Sequence, residues 1–273
     1  MGLSIGAGFS IGAGFTYITP TPPHSSTMWT WGQNQVGQLG LINTTNRSSP
    51  VQVGALTSWA VIATAANANF SEVIQSNGTL WAWGNNSYGQ LGTSNQINYS
   101  SPVQVGTASN WVKVSGGQNN STAIQNNSTQ WIWGNNSYGQ LGYTAIVAPI
   151  QISAQSNWSQ VCCGLNYGMA VQNTGVLYAW GNNSYGQLGT GDLTHRSSLT
   201  QVGTASNWSR VACGYTHTAA LQSNGTLWAW GVNSFGQLGQ GNFTNTSTPV
   251  QVGTLSRYVT VYAMNFTTLA ETQ

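Results

Sequence analysis

The sequence predicts an all-β protein built from repeated units. The ten-residue block W-G-x-N-x-x-G-Q-L-G begins at Trp31, Trp83, Trp133, Trp180 and Trp230. No segment sustains the i, i+3, i+4, i+7 apolar spacing of an amphipathic helix. Short apolar runs within units of about 50 residues point to propeller blades of about four antiparallel strands each. The expected architecture is a β-propeller over residues 27–273, with five blades, preceded by a Gly/Pro-rich arm over residues 1–26.

The elements of one unit follow in order. A Val-Gln-Val-type run comes after each block, as at residues 51–53, 103–105 and 250–252, and a proline stands just before it at Pro50, Pro102, Pro149 and Pro249. There a missing N–H does no harm to a sheet edge. An aromatic follows at Trp59, Trp111, Trp158, Trp208 or Tyr258, leading an apolar run. The turn dipeptides Asn77-Gly78 and Asn224-Gly225 then close a hairpin onto Thr-Leu-Trp-Ala-Trp. All thirteen tryptophans fall on three positions of the repeat, so tryptophan here is periodic architecture.

The stretch Val211 to Gly239, reading V-A-C-G-x-x-H-T-A-A-L-Q-S-N-G-T-L-W-A-W-G-x-N-x-x-G-Q-L-G, resembles the repeat of the regulator of chromosome condensation family. The resemblance runs from residue 27 to the end. Members of that family typically close seven blades, whereas five units are present here. The resemblance therefore implies either a five-bladed ring or an incomplete ring that relies on partners. The ends favour closure, because strands from Thr27 to Trp31 are of the type that completes the blade begun by residues 258–273. Such closure removes two sheet edges.

Only eight residues are charged, 3% of the chain, where about 25% is ordinary. Five scattered cations make no counterion-releasing patch, which argues against nucleic-acid binding. No apolar run of about 18 residues predicts a membrane span. The arm carries a tandem Ser-Ile-Gly-Ala-Gly-Phe followed by Pro20-Thr21-Pro22-Pro23. It lacks the basic start of a secretory signal, and Gly6 stands where myristoylation needs Ser or Thr. We read it as a docking arm held on a neighbouring subunit through Ile5, Phe9, Ile11, Phe15 and Tyr17.

Candidate chemistry is sparse. Cys163 and Cys213 hold one repeat position, no C-x-x-C pair exists, and an odd count argues against a disulfide framework. Buried thiols are the reading, with no metal site and no cofactor. His217 sits at a position the family often fills with histidine, with no carboxylate partner evident, and Asp192 reads as a turn residue. These features predict a non-enzyme. Tyr88, Tyr138, Tyr185 and Phe235 share one position of the block. Packing between blades is the favoured reading. The other is a ring that stacks on sugars beside Asn86, Asn136, Asn183 and Asn233. The variable loops at 41–48, 93–100, 143–147, 190–196 and 240–247 are better binding candidates.

Two functions fit. The first is a structural component of a larger particle, a bacteriophage virion decoration, tail or fibre protein, placed outside the cell and bound to neighbouring subunits. The second is an interaction propeller, cytoplasmic, that binds a protein or a surface glycan. The low charge and the arm favour the first.

Overall fold

The computed structural model describes residues 26–63, 68–138 and 146–273. The expected arm residues Ile5, Phe9, Ile11, Phe15 and Tyr17 lie outside the described residues, as does most of loop 143–147. Every described regular element is a strand. The all-β expectation holds, and so does the four-stranded antiparallel blade.

Four complete blades follow one another. The first holds β3 (Trp59–Ala63), β4 (Phe70–Gln75), β5 (Leu80–Gly84) and β6 (Tyr99–Gln104), hydrogen-bonded in that order. The second holds β7 (Trp111–Gly116), β8 (Asn120–Gln125), β9 (Gln130–Gly134) and β10 (Ile146–Gln151). In the third are β11 (Trp158–Cys163), β12 (Tyr167–Gln172), β13 (Leu177–Gly181) and β14 (Arg196–Gln201). The fourth contains β15 (Trp208–Cys213), β16 (His217–Gln222), β17 (Leu227–Gly231) and β18 (Thr246–Gln251). The prolines fall inside the outer strands β6, β10 and β18, where the free edge tolerates a lost donor.

The strands of a fifth blade are all present but divided. β1 (Trp29–Gly32) pairs with β2 (Arg47–Gln52), and β19 (Tyr258–Met264) pairs with β20 (Thr267–Thr272). The expected ladder joining the N-terminal pair to the C-terminal pair is not made. They are two separate two-stranded sheets. Each is pinned to its own neighbouring blade. Ser71 Oγ and Trp83 Nε1 both donate to Gln38 O at 2.9 Å, which fixes the first pair to the first blade. Thr268 Oγ1 donates to Gln237 O at 2.8 Å, and Tyr215 N donates to Asn265 O at 3.1 Å, fixing the last pair to the fourth blade.

The core repeats from blade to blade. Trp83, Trp133, Trp180 and Trp230 are fully buried, and β4, β8, β12 and β16 are buried almost throughout. Strands buried on both faces lose polar–apolar alternation, which explains their continuous apolar runs. The hairpin turn is equally determined. Gly78 has φ +79, and a Cβ there would meet Ser109 O at 2.3 Å, so the linker to the next blade needs the bare glycine. Trp111 N donates to Gly78 O across that contact.

The cysteine expectation is corrected. Cys162 and Cys213 form a disulfide, and Cys163 alone is a free, buried thiol. The repeat places β11 and β15 side by side in successive blades, bringing the two Cα atoms to 5.7 Å. An odd count left room for one bridge, and tertiary adjacency makes it.

Candidate functional site

The loops linking first to second strands and those linking third to fourth strands emerge at one end of the blades. Asn85 N donates to Asn69 O at 2.8 Å, Asn182 N to Asn166 O at 2.8 Å, and Val232 N to Thr216 O at 3.0 Å. The hairpin turns and the inter-blade linkers, carrying Leu56 and Leu255, sit at the opposite end. The W-G-x-N-x-x-G-Q-L-G blocks build the first of these ends.

Each block is held by its asparagine. Asn183 is buried; its Oδ1 accepts from Leu188 N at 2.9 Å, and its Nδ2 donates to Asp192 O at 2.9 Å. Its own N–H donates to His195 Nδ1 at 2.9 Å. Asn233 repeats the set with Leu238, Asn242 and Asn245, and Asn86 does so with Leu91, Asn95 and Asn98. These buried amides satisfy loop backbone, so Asn86, Asn183 and Asn233 are not available to sugar hydroxyls. Asn136 takes part in interactions of its own. Asp192 is confirmed as a turn residue, taking the place Asn242 has one blade later.

The aromatic position is the reverse case. Gln90, Gln187 and Gln237 each accept, through Oε1, the backbone N–H of Tyr88, Tyr185 and Phe235 at 2.9 Å. The backbone is fixed while the ring projects outward. Tyr88 is 44% exposed, Tyr138 39%, Tyr185 49% and Phe235 68%. The rings are thus partly exposed, and two of them also touch the following unit, in keeping with the favoured expectation of packing between blades. Tyr138 meets His195 edge-on with centroids 5.5 Å apart, and Phe235 leans on Phe266 at 5.1 Å. The variable loops add exposed Ile97, Leu193 and Phe243 to the same end. Charge is nearly absent from this end. The Asp192 carboxyl, held below its usual range by the Thr194 N–H and then by Arg196, is paired with the Arg196 guanidinium at 2.5 Å.

The interior titratable groups serve another purpose. His217 is fully buried, its Nε2 lies 3.0 Å from Thr268 Oγ1, and desolvation lowers its pKa to about 4. Thr268 already donates to Gln237 O, so its oxygen is left to accept from Nε2–H of His217. Tyr167, at the same repeat position one blade earlier, donates its hydroxyl to His217 O at 2.5 Å. Glu72 lies on β4 between Ala63 and Ala82, and burial raises its pKa to about 8. Ser121, whose hydroxyl opposes that shift, is committed to Gln90 O. Burial and then Glu72 push the Cys163 thiol up. Sequence reasoning missed Glu72 as a core residue, and nothing local in Phe-Ser-Glu-Val-Ile marks it. Among the described residues no three His, Cys, Asp or Glu side chains gather as for a metal. No helix of the described residues is long and apolar enough to cross a membrane.

A family model described as RCC1-like domain matches residues 10–273. The chain belongs to the RCC1-like domain family. Mouse protein RCC2 is 35% identical over 79 residues, which cover 29% of this RCC1-like chain and 15% of RCC2. Human WBSCR16 superposes with a TM-score of 0.77 at 23% identity, covering 90% of this chain and 67% of that one. A chain in the structure of Kap60 bound to yeast RCC1 (Prp20) gives 0.78 at 21% identity, covering 90% and 64%. The curated relative is thus matched over a small fraction of its length, and the structural likeness is one of fold.

Proposed function

We propose that this RCC1-like chain is a protein-binding propeller that takes its partner on the end bearing Tyr88, Tyr138, Tyr185 and Phe235. One observation carries the reading: four aromatic rings at equivalent positions, about half exposed, three of them on backbone held by a glutamine side chain. Exposed aromatics on a preorganised scaffold are the residues that dominate binding energy at protein interfaces. Propeller ends commonly serve as loop-built binding surfaces. A protein partner is favoured over a glycan because the neighbouring asparagine amides are consumed internally. Low charge leaves recognition to aromatic and amide contacts, with little steering at long range. The buried His217 and Glu72 lack the accessible, paired geometry of acid–base catalysis, so the proposal is a binding role without a reaction. Nothing in the comparisons points to a virion, and the interaction propeller is the function carried forward.

The test is selection of ligands from a random-peptide display library on the immobilised chain. Selected peptides are expected to lose at least tenfold in affinity on a Tyr88→Ala/Tyr185→Ala/Phe235→Ala variant, about 1.4 kcal/mol or more. Leu56→Ala/Leu255→Ala, at the opposite end, should leave binding intact. Peptides that respond only to the Leu56 and Leu255 changes overturn the proposal.

A further inference from the structure

We propose that the axial face of the blades is an anion site, in which Lys113 and Arg210, with Gln160 between them, hold a multivalent oxyanion of the phosphate or polycarboxylate class. The first strand of each complete blade lies at one edge of its sheet. β7 touches β11 and β11 touches β15, so these edges come together along the blade axis. A β-bulge follows the leading tryptophan in each, and register resumes at Lys113↔Ile124, Gln160↔Val171 and Arg210↔Leu221. The three side chains therefore hold one repeat position on three neighbouring strands. The bulged residues Val112 and Ser209 beside them are exposed, which opens this stretch of the axial face to solvent.

Charge on this face is of one sign and uncompensated. The whole chain has five Lys and Arg residues, and two of them stand here, both half-buried. The single ion pair among the described residues is Arg196–Asp192, so neither Lys113 nor Arg210 meets a carboxylate. Lys113 Nζ donates to the carbonyl oxygen of the bulged Ser159 on the next first strand, a neutral partner that occupies one of its three donors. Arg210 has no hydrogen-bonded acceptor among the described residues. The two cations sense each other: the Lys113 amine is held below its ordinary range first by burial and then by the charge of Arg210. None of the three acids neutralises them. Glu72 is buried, and its pKa of about 8 keeps it largely protonated at neutral pH. Asp192 is spent on Arg196, and Glu271, opposite Thr260 on β20, makes no ion pair. Like charges held together on a half-buried face cost free energy, which an anion placed between them offsets.

The chemistry of the three groups selects the ligand. A guanidinium presents a planar fork that takes two oxygens at once, an ammonium adds a point charge, and the Gln160 amide contributes a neutral donor. A halide satisfies one member of such a set, whereas pyrophosphate or a tricarboxylate offers oxygens to all three. The same repeat position is Val61 on β3 and Thr260 on β19, which confines the cations to the three successive strands of complete blades. The position lies two residues into each first strand from the inter-blade linker, towards the end opposite Tyr88, Tyr138, Tyr185 and Phe235. The anion site is therefore separate from the aromatic surface, and its occupancy does not depend on what that surface binds.

Calorimetric titration of the full chain with pyrophosphate, and separately with citrate, tests this at an ionic strength fixed by sodium chloride. Saturable binding of at least one of the two is expected, with a dissociation constant below about 1 mM, and the tighter arm tells phosphate from polycarboxylate. Arg210→Gln and Lys113→Gln should each weaken that binding by about tenfold. Arg47→Gln, on the outer strand β2, should leave it unchanged. Gln160→Glu puts a carboxylate between the two cations; it should suppress binding while raising the melting temperature, which separates lost charge from lost fold. Absence of saturable binding by both anions overturns the proposal. So does binding that survives Arg210→Gln and Lys113→Gln, or that falls as far with Arg47→Gln.

Discussion

The indole nitrogen of Trp230 donates to the carbonyl oxygen of Gln187 at 2.9 Å, joining residues 43 apart in successive blades. Gln187 O also accepts from Thr218 Oγ1 at 2.8 Å, so one carbonyl collects two donors from the next blade. Trp230→Phe keeps most of the ring volume and loses the bond. It should cost about 1–2 kcal/mol, against about 3–5 kcal/mol for Trp230→Ala, measured by denaturant unfolding.

The asparagine clamp predicts a sharper isosteric effect. Asn233→Asp replaces the donor facing Asn242 O with a carboxylate oxygen, setting acceptor against acceptor. A loss of about 1–3 kcal/mol is expected, with faster hydrogen exchange confined to residues 233–245. Uniform exchange across the fourth blade would show that the clamp does not act locally.

Glu72 and His217 give stability a definite pH profile. Glu72 has a folded pKa of about 8 against 4.5 unfolded, so its contribution is full below pH 4.5 and is lost as pH rises to 8. His217 has a folded pKa of about 4 against 6.5, so its contribution is full above pH 6.5 and is lost on acidification. Between pH 4.5 and 6.5 the two slopes oppose and stability should be flat. From pH 6.5 to 8 only Glu72 acts, and stability should fall at up to about 1.4 kcal/mol per pH unit. Glu72→Gln should remove that alkaline fall when unfolding is followed across the range.

Reduction of Cys162–Cys213 unties the third blade from the fourth. With the two cysteines 51 positions apart in sequence, a loss of about 2–4 kcal/mol is expected in denaturant melts run with and without reductant.

Much of this was legible in the chain itself. The Asn-Gly turns, the W-G-x-N-x-x-G-Q-L-G block and the periodic tryptophans fix the strand inventory, because each is dictated by local chemistry. The clamp was legible too, in a signal that was overlooked. Asn34, Asn43 and Asn46 recur as Asn86, Asn95 and Asn98, and as Asn233, Asn242 and Asn245, with the same two spacings. That pattern shows asparagines serving their own loop rather than a ligand. What the residues could not reveal depends on neighbours distant in sequence. The repeat position of Tyr185 is compatible with a packed ring or a projecting one, and only the course of the adjacent blade decides. The same holds for Glu72, whose burial comes from blades stacked around it, and for the division of the fifth blade, set by how the ends are pinned.

Removing the surface rings should leave the fold alone. Tyr88→Ala, Tyr185→Ala and Phe235→Ala touch no core contact and should each shift stability by about 0.5 kcal/mol or less in the same melts.

The central claim is that the aromatic end binds protein, and the dissociation constant of a display-selected peptide across single alanine variants tests it most directly. At least two of Tyr88, Tyr138, Tyr185 and Phe235 should each weaken binding tenfold or more, about 1.4 kcal/mol, with unfolding unchanged. Binding that survives all four substitutions and is lost on changing Leu56 or Leu255 would contradict it.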